Sequence, residues 1–152
     1  MRIEDELQHI VETFEPDGIL AVTGDDVPLP DRGGPYRIER IHGLSDLGTA
    51  DHYDLAIVDS AASFPETEVP MLLSRLRDLN ARRVLVVVRP GASGAWTRHS
   101  LIGFGYTHRG QATIGEQDVD LFQFDIDTYK HTPDWLNPSN WANPELWDRY
   151  RW

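Results

Sequence analysis

The sequence predicts a three-layer α/β domain with a mostly parallel sheet, an antiparallel terminal hairpin and no helix after the first strand. Two near-continuous apolar runs, Tyr53–Asp59 and residues 83–89, are typical of central strands that are covered on both faces. A leucine-rich helical segment separates them, which indicates a strand–helix–strand unit. Residues 27–35 contain three prolines and no helical period, so they do not form the usual first crossover helix.

An amphipathic helix opens the chain. Its apolar residues, at positions 3, 7, 10, 11 and 14, recur at the spacing of one helical face. Pro16 and Gly18 end this helix, and residues 19–23 follow as a short buried strand. Residues 36–41 alternate between apolar and polar side chains, which predicts a half-buried strand.

The second half of the chain alternates helices and strands. A helix between the two buried strands carries five apolar residues on one stripe: Val69, Leu72, Leu73, Leu76 and Leu79. Thr67 is its expected N-cap, and Pro70 is tolerated in its first turn. A short helix around residues 96–102 ends at Gly103 and Gly105. Residues 106–113 and 119–126 then predict an antiparallel hairpin joined by residues 114–118.

Composition excludes several classes of function. The 152 residues carry a net charge of −11, which disfavours nucleic acid and anionic membranes as direct partners but leaves a basic protein partner open. There is no cysteine, hence no disulfide and no thiolate nucleophile. The charged N-terminus is unlike a signal peptide, and no apolar run approaches the roughly 20 residues of a membrane span. A cytoplasmic protein is the expectation.

Candidate functional residues lie where a central strand ends. Asp59 and Ser60 follow the strand Tyr53–Asp59, at the edge where open α/β sheets place their chemistry, and they are the candidate catalytic residues. Capping of the following turn is the simpler interpretation of Asp59. The six histidines show no metal-ligand spacing, so no metal site is predicted. Neither a P-loop nor a serine-hydrolase elbow is present.

The order of elements in residues 53–126 carries a resemblance. The strand Tyr53–Asp59, a helix, the strand at residues 83–90, a short helix, Gly103-Phe104 and the hairpin resemble the second half of a class I S-adenosylmethionine-dependent methyltransferase. This resemblance implies a Rossmann-like fold in which Tyr53–Asp59 is the fourth strand. It covers about half of the chain.

The first half departs from that family. The family's first strand ends in an acidic residue and a Gly-x-Gly turn, whose close backbone approach admits the methionine part of the cofactor. Here Ala21 stands at the acidic position and Gly24 is the only glycine of the turn. Leu44 stands nearest to the acidic adenine contact, for which Asp46 could substitute. The whole chain also resembles short, uncharacterised bacterial proteins that keep this architecture without its full motifs.

Two functions follow from the resemblance. The first is a non-catalytic methyltransferase-like module that binds no cofactor and acts through protein contacts, with a partner or a second copy of the chain. The alternative is a divergent methyltransferase, with S-adenosylmethionine as its cofactor. In that case Thr23, Gly24 and Asp25 would contact the cofactor, Asp46 would lie near the adenine, and the pair Asp59-Ser60 would face the substrate.

Response-regulator receivers offer a weaker alternative. Asp25, Asp26 and Asp59 could surround a Mg²⁺ ion there, because hard cations prefer carboxylate oxygens. However, the strand ending at Val88 is followed by Arg89-Pro90, with no Ser or Thr at that place. This reading is therefore disfavoured.

The C-terminal tail is rich in aromatic residues. We divide the chain into a domain at residues 1–131 and a tail at residues 132–152, which holds four of the five tryptophans. A six-residue near-repeat, Asn-Pro-x-x-Trp, suits single helical turns with Asn as the N-cap and Pro at the first helical position. The rings either pack on the domain in place of the lost helix, which we favour, or form a docking strip.

Truncation after Thr132 tests these two interpretations. If the tail covers the sheet, its loss lowers the free energy of unfolding by several kcal/mol, because losing one buried Trp typically costs about 3–5 kcal/mol. The truncated protein then aggregates or loses its cooperative thermal transition. An unchanged melting temperature together with the loss of a partner in a pull-down would identify the tail as a docking strip instead.

Overall fold

Six strands form one mixed sheet in a computed structural model that describes residues 2–24, 26–29, 36–48 and 51–126. The strands run in the spatial order β2-β1-β3-β4-β6-β5. Their bounds are β1 Gly18–Val22, β2 Arg37–Arg40, β3 Tyr53–Asp59, β4 Ala81–Val88, β5 Thr107–Ile114 and β6 Gln117–Asp125. Strands β1 to β4 pair in parallel, and β6 is antiparallel to both β4 and β5. The predicted fold is confirmed, with β3 and β4 adjacent at the centre.

Helices cover both faces of the sheet and make three layers. Helix α1, Ile3–Phe14, packs on one face through Ile3, Leu7 and Ile10. Helices α2, Val69–Arg75, and α3, Arg98–Gly103, lie on the other face. Side chains of β3 and β4 alternate between the two cores, because successive residues of a strand point to opposite faces. Both strands are therefore buried on two sides, as their apolar runs predicted.

The proline-rich stretch covers part of the sheet itself. In the described residues between β1 and β2 no helix is present, in agreement with the prolines. Val27 is buried in the core on the α1 side, and Leu29 packs against that core. Val27 and Leu29 thus cover part of the sheet face that a crossover helix would otherwise cover. The tail at residues 132–152 lies outside the described residues, so its packing remains a prediction.

The helix before β4 differs from the prediction in two ways. Thr67 is not its N-cap, since it lies within a preceding 3₁₀ turn, Glu66–Glu68, and α2 begins at Val69 without a side-chain cap. Leu79 is 52% exposed, although its spacing predicted a place on the buried stripe. The reason is a π turn over Leu76–Asn80, whose wider repeat moves Leu79 away from the sheet.

The terminal hairpin is tighter than predicted. Ile114 pairs with Gln117 and Thr113 pairs with Asp118, so only Gly115 and Glu116 form the turn in place of a loop at residues 114–118. Gly115 has a φ of +59°, as the first central residue of a type II′ turn requires. Strand β5 keeps its predicted length of eight residues, shifted by one position, and β6 begins two residues earlier than predicted.

A tyrosine at the start of β3 contacts both β1 and β2. The ring of Tyr53 lies against Gly18, where an added Cβ would come within 3.8 Å of its Cδ1 atom. The Tyr53 hydroxyl donates a hydrogen bond of 2.6 Å to Glu39 Oε2 on β2. Burial, followed by the hydrogen bond to Glu39, raises the pKa of Tyr53 to about 12. The folded protein therefore favours the neutral phenol.

Tyr53→Phe should remove this link. At neutral pH we expect the free energy of unfolding to fall by about 1–2 kcal/mol, because a hydrogen bond to a carboxylate is lost. The raised pKa means that this stabilisation is complete below about pH 10 and is lost as the pH rises toward about 12. Urea unfolding at pH 7 and at steps above pH 10 should show the two proteins converging. A constant difference across this range would contradict the assignment.

Candidate functional site

A fully buried carboxylate lies where β1, β3 and β4 end together. Asp59, the last residue of β3, has an exposed fraction of 0%. Its Oδ2 atom accepts from Arg89 Nη2 at 2.8 Å and from the Gly24 amide at 3.1 Å. Its Oδ1 atom accepts from Arg89 Nε at 3.0 Å and from the Ala61 amide at 3.1 Å. Four donors therefore satisfy the charge of Asp59 inside the protein.

Arg89 connects this carboxylate to the loop after β1. Its side chain is 12% exposed and also binds Asp26, through Nη2 at 2.8 Å and Nη1 at 2.9 Å. Nη1 reaches Gln117 Oε1 at 3.1 Å as well. The hydrogen bond from Arg89 lowers the pKa of Asp26, and the hydrogen bonds to Asp26 and Asp59 raise the pKa of Arg89. We call Asp26, Asp59 and Arg89 the strand-end ion pair cluster.

Ser60 is held by the same strand ends. Its Oγ atom accepts a hydrogen bond of 2.8 Å from the Arg89 amide. Its own amide donates to the carbonyl of Val87 at 2.9 Å, which continues the pairing of β3 with β4. The two candidate catalytic residues, Asp59 and Ser60, are thus together as the sequence indicated. Both are engaged in contacts that close the edge of the sheet, and Asp59 Oδ1 makes the turn-capping contact.

Gly24 marks the closest approach between the loop after β1 and β3. A Cβ added at Gly24 would lie 3.2 Å from Asp26 Oδ1 and 3.4 Å from Asp59 Oδ2. Any side chain here would therefore press on the strand-end ion pair cluster. The resemblance places a cofactor against the backbone of this turn. In this structure the side-chain carboxylates of Asp26 and Asp59 lie against Gly24 instead.

A cleft of about 290 Å³ lies beside this cluster, between the ends of β1 and β2. Thr23 and Gly24, two of the candidate cofactor-binding residues, belong to its lining. The described residues of its lining are Ala21, Thr23, Gly24, Arg40, Ile41, His42, Ala61, Ala62 and Ser63. Asp46 is not part of it, because its Oδ2 atom accepts from the His42 amide at 3.0 Å within the 3₁₀ turn Leu44–Asp46. Asp25 lies outside the described residues.

Sequence reasoning missed the two arginines of this region. Arg89 was considered only as a residue that replaces Ser or Thr, and Arg40 was not considered. A signal existed for Arg89, since an arginine directly after β4 shares an edge with an aspartate that ends β3. Asp26 and Asp59, the described members of the proposed Mg²⁺ set, do converge, but on a guanidinium. No group of three metal-ligating side chains occurs among the described residues.

A match to a family model covers the entire chain, residues 1–152. The family is DUF6231, a family of unknown function. The chain belongs to it. Comparison with curated proteins finds no match to the sequence. Within the described part of this DUF6231 member, no helix is both long and apolar enough to cross a membrane.

Two of the solved structures that this chain resembles are described as methyltransferases. The magnesium protoporphyrin IX methyltransferase ChlM of Synechocystis PCC 6803, solved with bound SAM, aligns with a TM-score of 0.54 and 14% identity, over 80% of this chain and 76% of that one. The putative methyltransferase YhhF of Escherichia coli aligns with a TM-score of 0.48 and 12% identity, over 81% and 84% of the two chains. The alignment with ChlM shows that this DUF6231 chain has a class I methyltransferase-like fold.

Within the strand-end ion pair cluster, removing the carboxylate of Asp59 should destabilise the protein more than removing that of Asp26. Asp59→Ala leaves Arg89 partly unpaired next to a buried space, which typically costs about 3–5 kcal/mol. Asp26 is 60% exposed, so solvent screens its interaction with Arg89 and Asp26→Ala should cost less than about 1 kcal/mol. Urea unfolding of both variants measures the difference. Equal effects would show that burial does not govern the cluster.

Proposed function

We propose that this protein is a methyltransferase-like module that transfers no methyl group and acts by binding a protein partner. The observation that carries the proposal is the pairing of Asp59 with Arg89 at the carboxyl ends of β3 and β4. A methyltransferase needs this edge open for its cofactor. Here a guanidinium occupies it, and the Gly24 amide already donates to Asp59.

The paired charges also leave the usual cofactor no free partner at this place. S-adenosylmethionine carries a sulfonium, an ammonium and a carboxylate group, whereas Arg89 is already paired with Asp59 and Asp26. Opening the cluster would separate a buried ion pair, at about 3–5 kcal/mol. A ligand that must open it would lose roughly a hundredfold to a thousandfold or more in affinity. A cofactor that occupies this strand edge itself would therefore bind weakly.

Protein contacts are the function that remains for such a module. The net charge of −11 favours a partner with a basic surface, because complementary charge speeds association and selects partners. Neither nucleic acid nor an anionic membrane fits that charge. The tryptophans of residues 132–152 are the other candidate contact region, for a partner or for a second copy of the chain. We place this activity in the cytoplasm.

A divergent methyltransferase is the second candidate, and the cleft beside Gly24 favours it. The cleft lies outside the strand-end ion pair cluster, so a ligand could enter it without breaking that cluster. Thr23, Gly24 and Asp25 would then contact S-adenosylmethionine, and Asp59 and Ser60 would face the substrate. Asp46 would have to release the His42 amide to reach an adenine.

Titration of the full-length protein with S-adenosylmethionine and S-adenosylhomocysteine separates the two candidates. We expect no saturable heat up to about 1 mM and no change in melting temperature. A ligand at 100 times its dissociation constant would stabilise the folded state by about 2.7 kcal/mol. That stabilisation would raise the melting temperature by several degrees.

Gly24→Trp, with Gly103→Trp as its matched control, decides the case in which the wild type does bind. Gly103 lies on the exposed end of α3, and an added Cβ there meets no atom within 4 Å. Binding that is lost in Gly24→Trp and kept in Gly103→Trp would place the cofactor in the cleft. The non-catalytic proposal would then be wrong.

A further inference from the structure

The cleft between β1 and β2 has a basic lining in an acidic protein. Its charged or titratable side chains are Arg40 and His42, and its hydroxyls belong to Thr23 and Ser63. No carboxylate is among the described residues that line it. The chain as a whole carries 25 acidic and 14 basic residues, so chance placement would favour an acidic lining.

Three described carboxylates of the elements around the cleft are directed at other partners. Asp59 is paired with Arg89 and Gly24, and Asp46 accepts from the His42 amide. Glu39, next to Arg40 on β2, accepts from the Tyr53 hydroxyl and pairs with Arg37 at 3.2 Å. These contacts direct the three carboxylates away from Arg40. Among the described residues, the positive charge of Arg40 has no carboxylate counterpart.

Arg40 stands apart from the other arginines at this part of the sheet. In the described part of the chain it contacts no carboxylate, and its Nη1 atom donates only a long hydrogen bond of 3.4 Å to Thr23 Oγ1. Arg37, on the same strand, is paired with Glu39, and Arg89 is paired with two aspartates. A guanidinium has five N–H donors in a planar fork that matches a phosphate. Most of the donors of Arg40 are available to a ligand.

We propose that this cleft binds a small phosphate ester, such as a nucleoside monophosphate. Arg40 would hold the phosphate with two parallel hydrogen bonds, and the Thr23 and Ser63 hydroxyls and the His42 ring would supply further contacts. The carboxyl ends of parallel strands are where open α/β sheets bind ligands. An arginine near the end of the second strand suits a phosphate, whereas a carboxylate there suits ribose hydroxyls.

The size of the cleft agrees with a ligand of this class. About 290 Å³ is near the lower limit of small-molecule pockets, which favours a monophosphate over a dinucleotide. The anionic phosphate also suits this lining better than the cationic S-adenosylmethionine does. The proposal adds a ligand to a protein that we regard as non-catalytic, and it does not depend on the absence of methyl transfer.

Calorimetric titration of the full-length protein at low salt tests the proposal. The probes are adenosine monophosphate, inorganic phosphate and adenosine. We expect saturable binding of the monophosphate, at least tenfold weaker binding of adenosine, and weakening of the monophosphate affinity as salt is added. Binding of inorganic phosphate alone would assign the site to the free anion and exclude the nucleoside part. Adenosine that binds as tightly as its monophosphate would overturn the role of the phosphate.

Two arginine variants supply the matched comparison. Arg40→Ala should weaken binding of the monophosphate at least tenfold, whereas Arg37→Ala on the same strand should leave it unchanged, because Arg37 is already paired. Arg40 is exposed, so we expect Arg40→Ala to keep the wild-type melting temperature. Equal affinities of the two variants for the monophosphate would refute the site. Absence of saturable binding of any phosphate compound up to about 5 mM would refute it as well, provided that the experiment detects dissociation constants of that size.

S-adenosylmethionine in competition with the monophosphate keeps the two proposals distinguishable. Binding of S-adenosylmethionine with displacement of the monophosphate would overturn the non-catalytic proposal and leave the phosphate site in place. Failure of both compounds to bind would remove the phosphate site alone.

Discussion

The buried pair of Asp59 and Arg89 is the interaction on which this end of the molecule depends. Asp59 ends β3, and Arg89 follows β4 directly, so two adjacent parallel strands bring opposite charges to one edge. Burying a carboxylate is unfavourable unless it is paired and fully hydrogen-bonded. Arg89 supplies two of the four donors to Asp59, and the Gly24 and Ala61 amides supply the others. The hydrogen bonds to Asp59 therefore hold together the ends of β1, β3 and β4.

The same arginine explains how the sheet tolerates an irregular segment after its first strand. Its guanidinium also binds Asp26, next to Val27, whose side chain is buried in the core on the α1 side. Leu29 packs against the same core. A helix would supply such cover with a regular repeat of side chains, whereas the described part of this segment supplies it with Val27, Leu29 and the contact of Asp26 with Arg89. Arg89 therefore connects the buried carboxylate at the end of β3 to the loop after β1.

The fold could be predicted from the sequence to a greater extent than the site. The apolar runs of β3 and β4 are local signals, and they indicated burial on both faces correctly. The predicted burial of Leu79 was wrong because a π turn changes the helical repeat, and the spacing of the leucines does not reveal such a turn. The sequence placed Asp59 and Ser60 at the carboxyl ends of the parallel strands, where the structure also has them, because they end a strand. Arg89 was missed as a partner because its contact with Asp59 joins residues 30 positions apart, and only the strand order makes them neighbours.

Charge is distributed so that the ion pair cluster and the adjoining cleft differ in what they can bind. In the cluster, Arg89 faces Asp59 and Asp26, so its positive charge is directed at groups of the chain. In the cleft, Arg40 has no carboxylate partner among the described residues, and it lines the cleft with Thr23 as its hydrogen-bond partner. Opposite charges that are already paired within a fold attract a ligand weakly, whereas an unpaired guanidinium in a concave site attracts an anion. A methyltransferase-like fold whose strand edge is closed by its own ion pair can therefore present an unpaired guanidinium in the cleft beside that edge, which is the basis of the anion site that we propose.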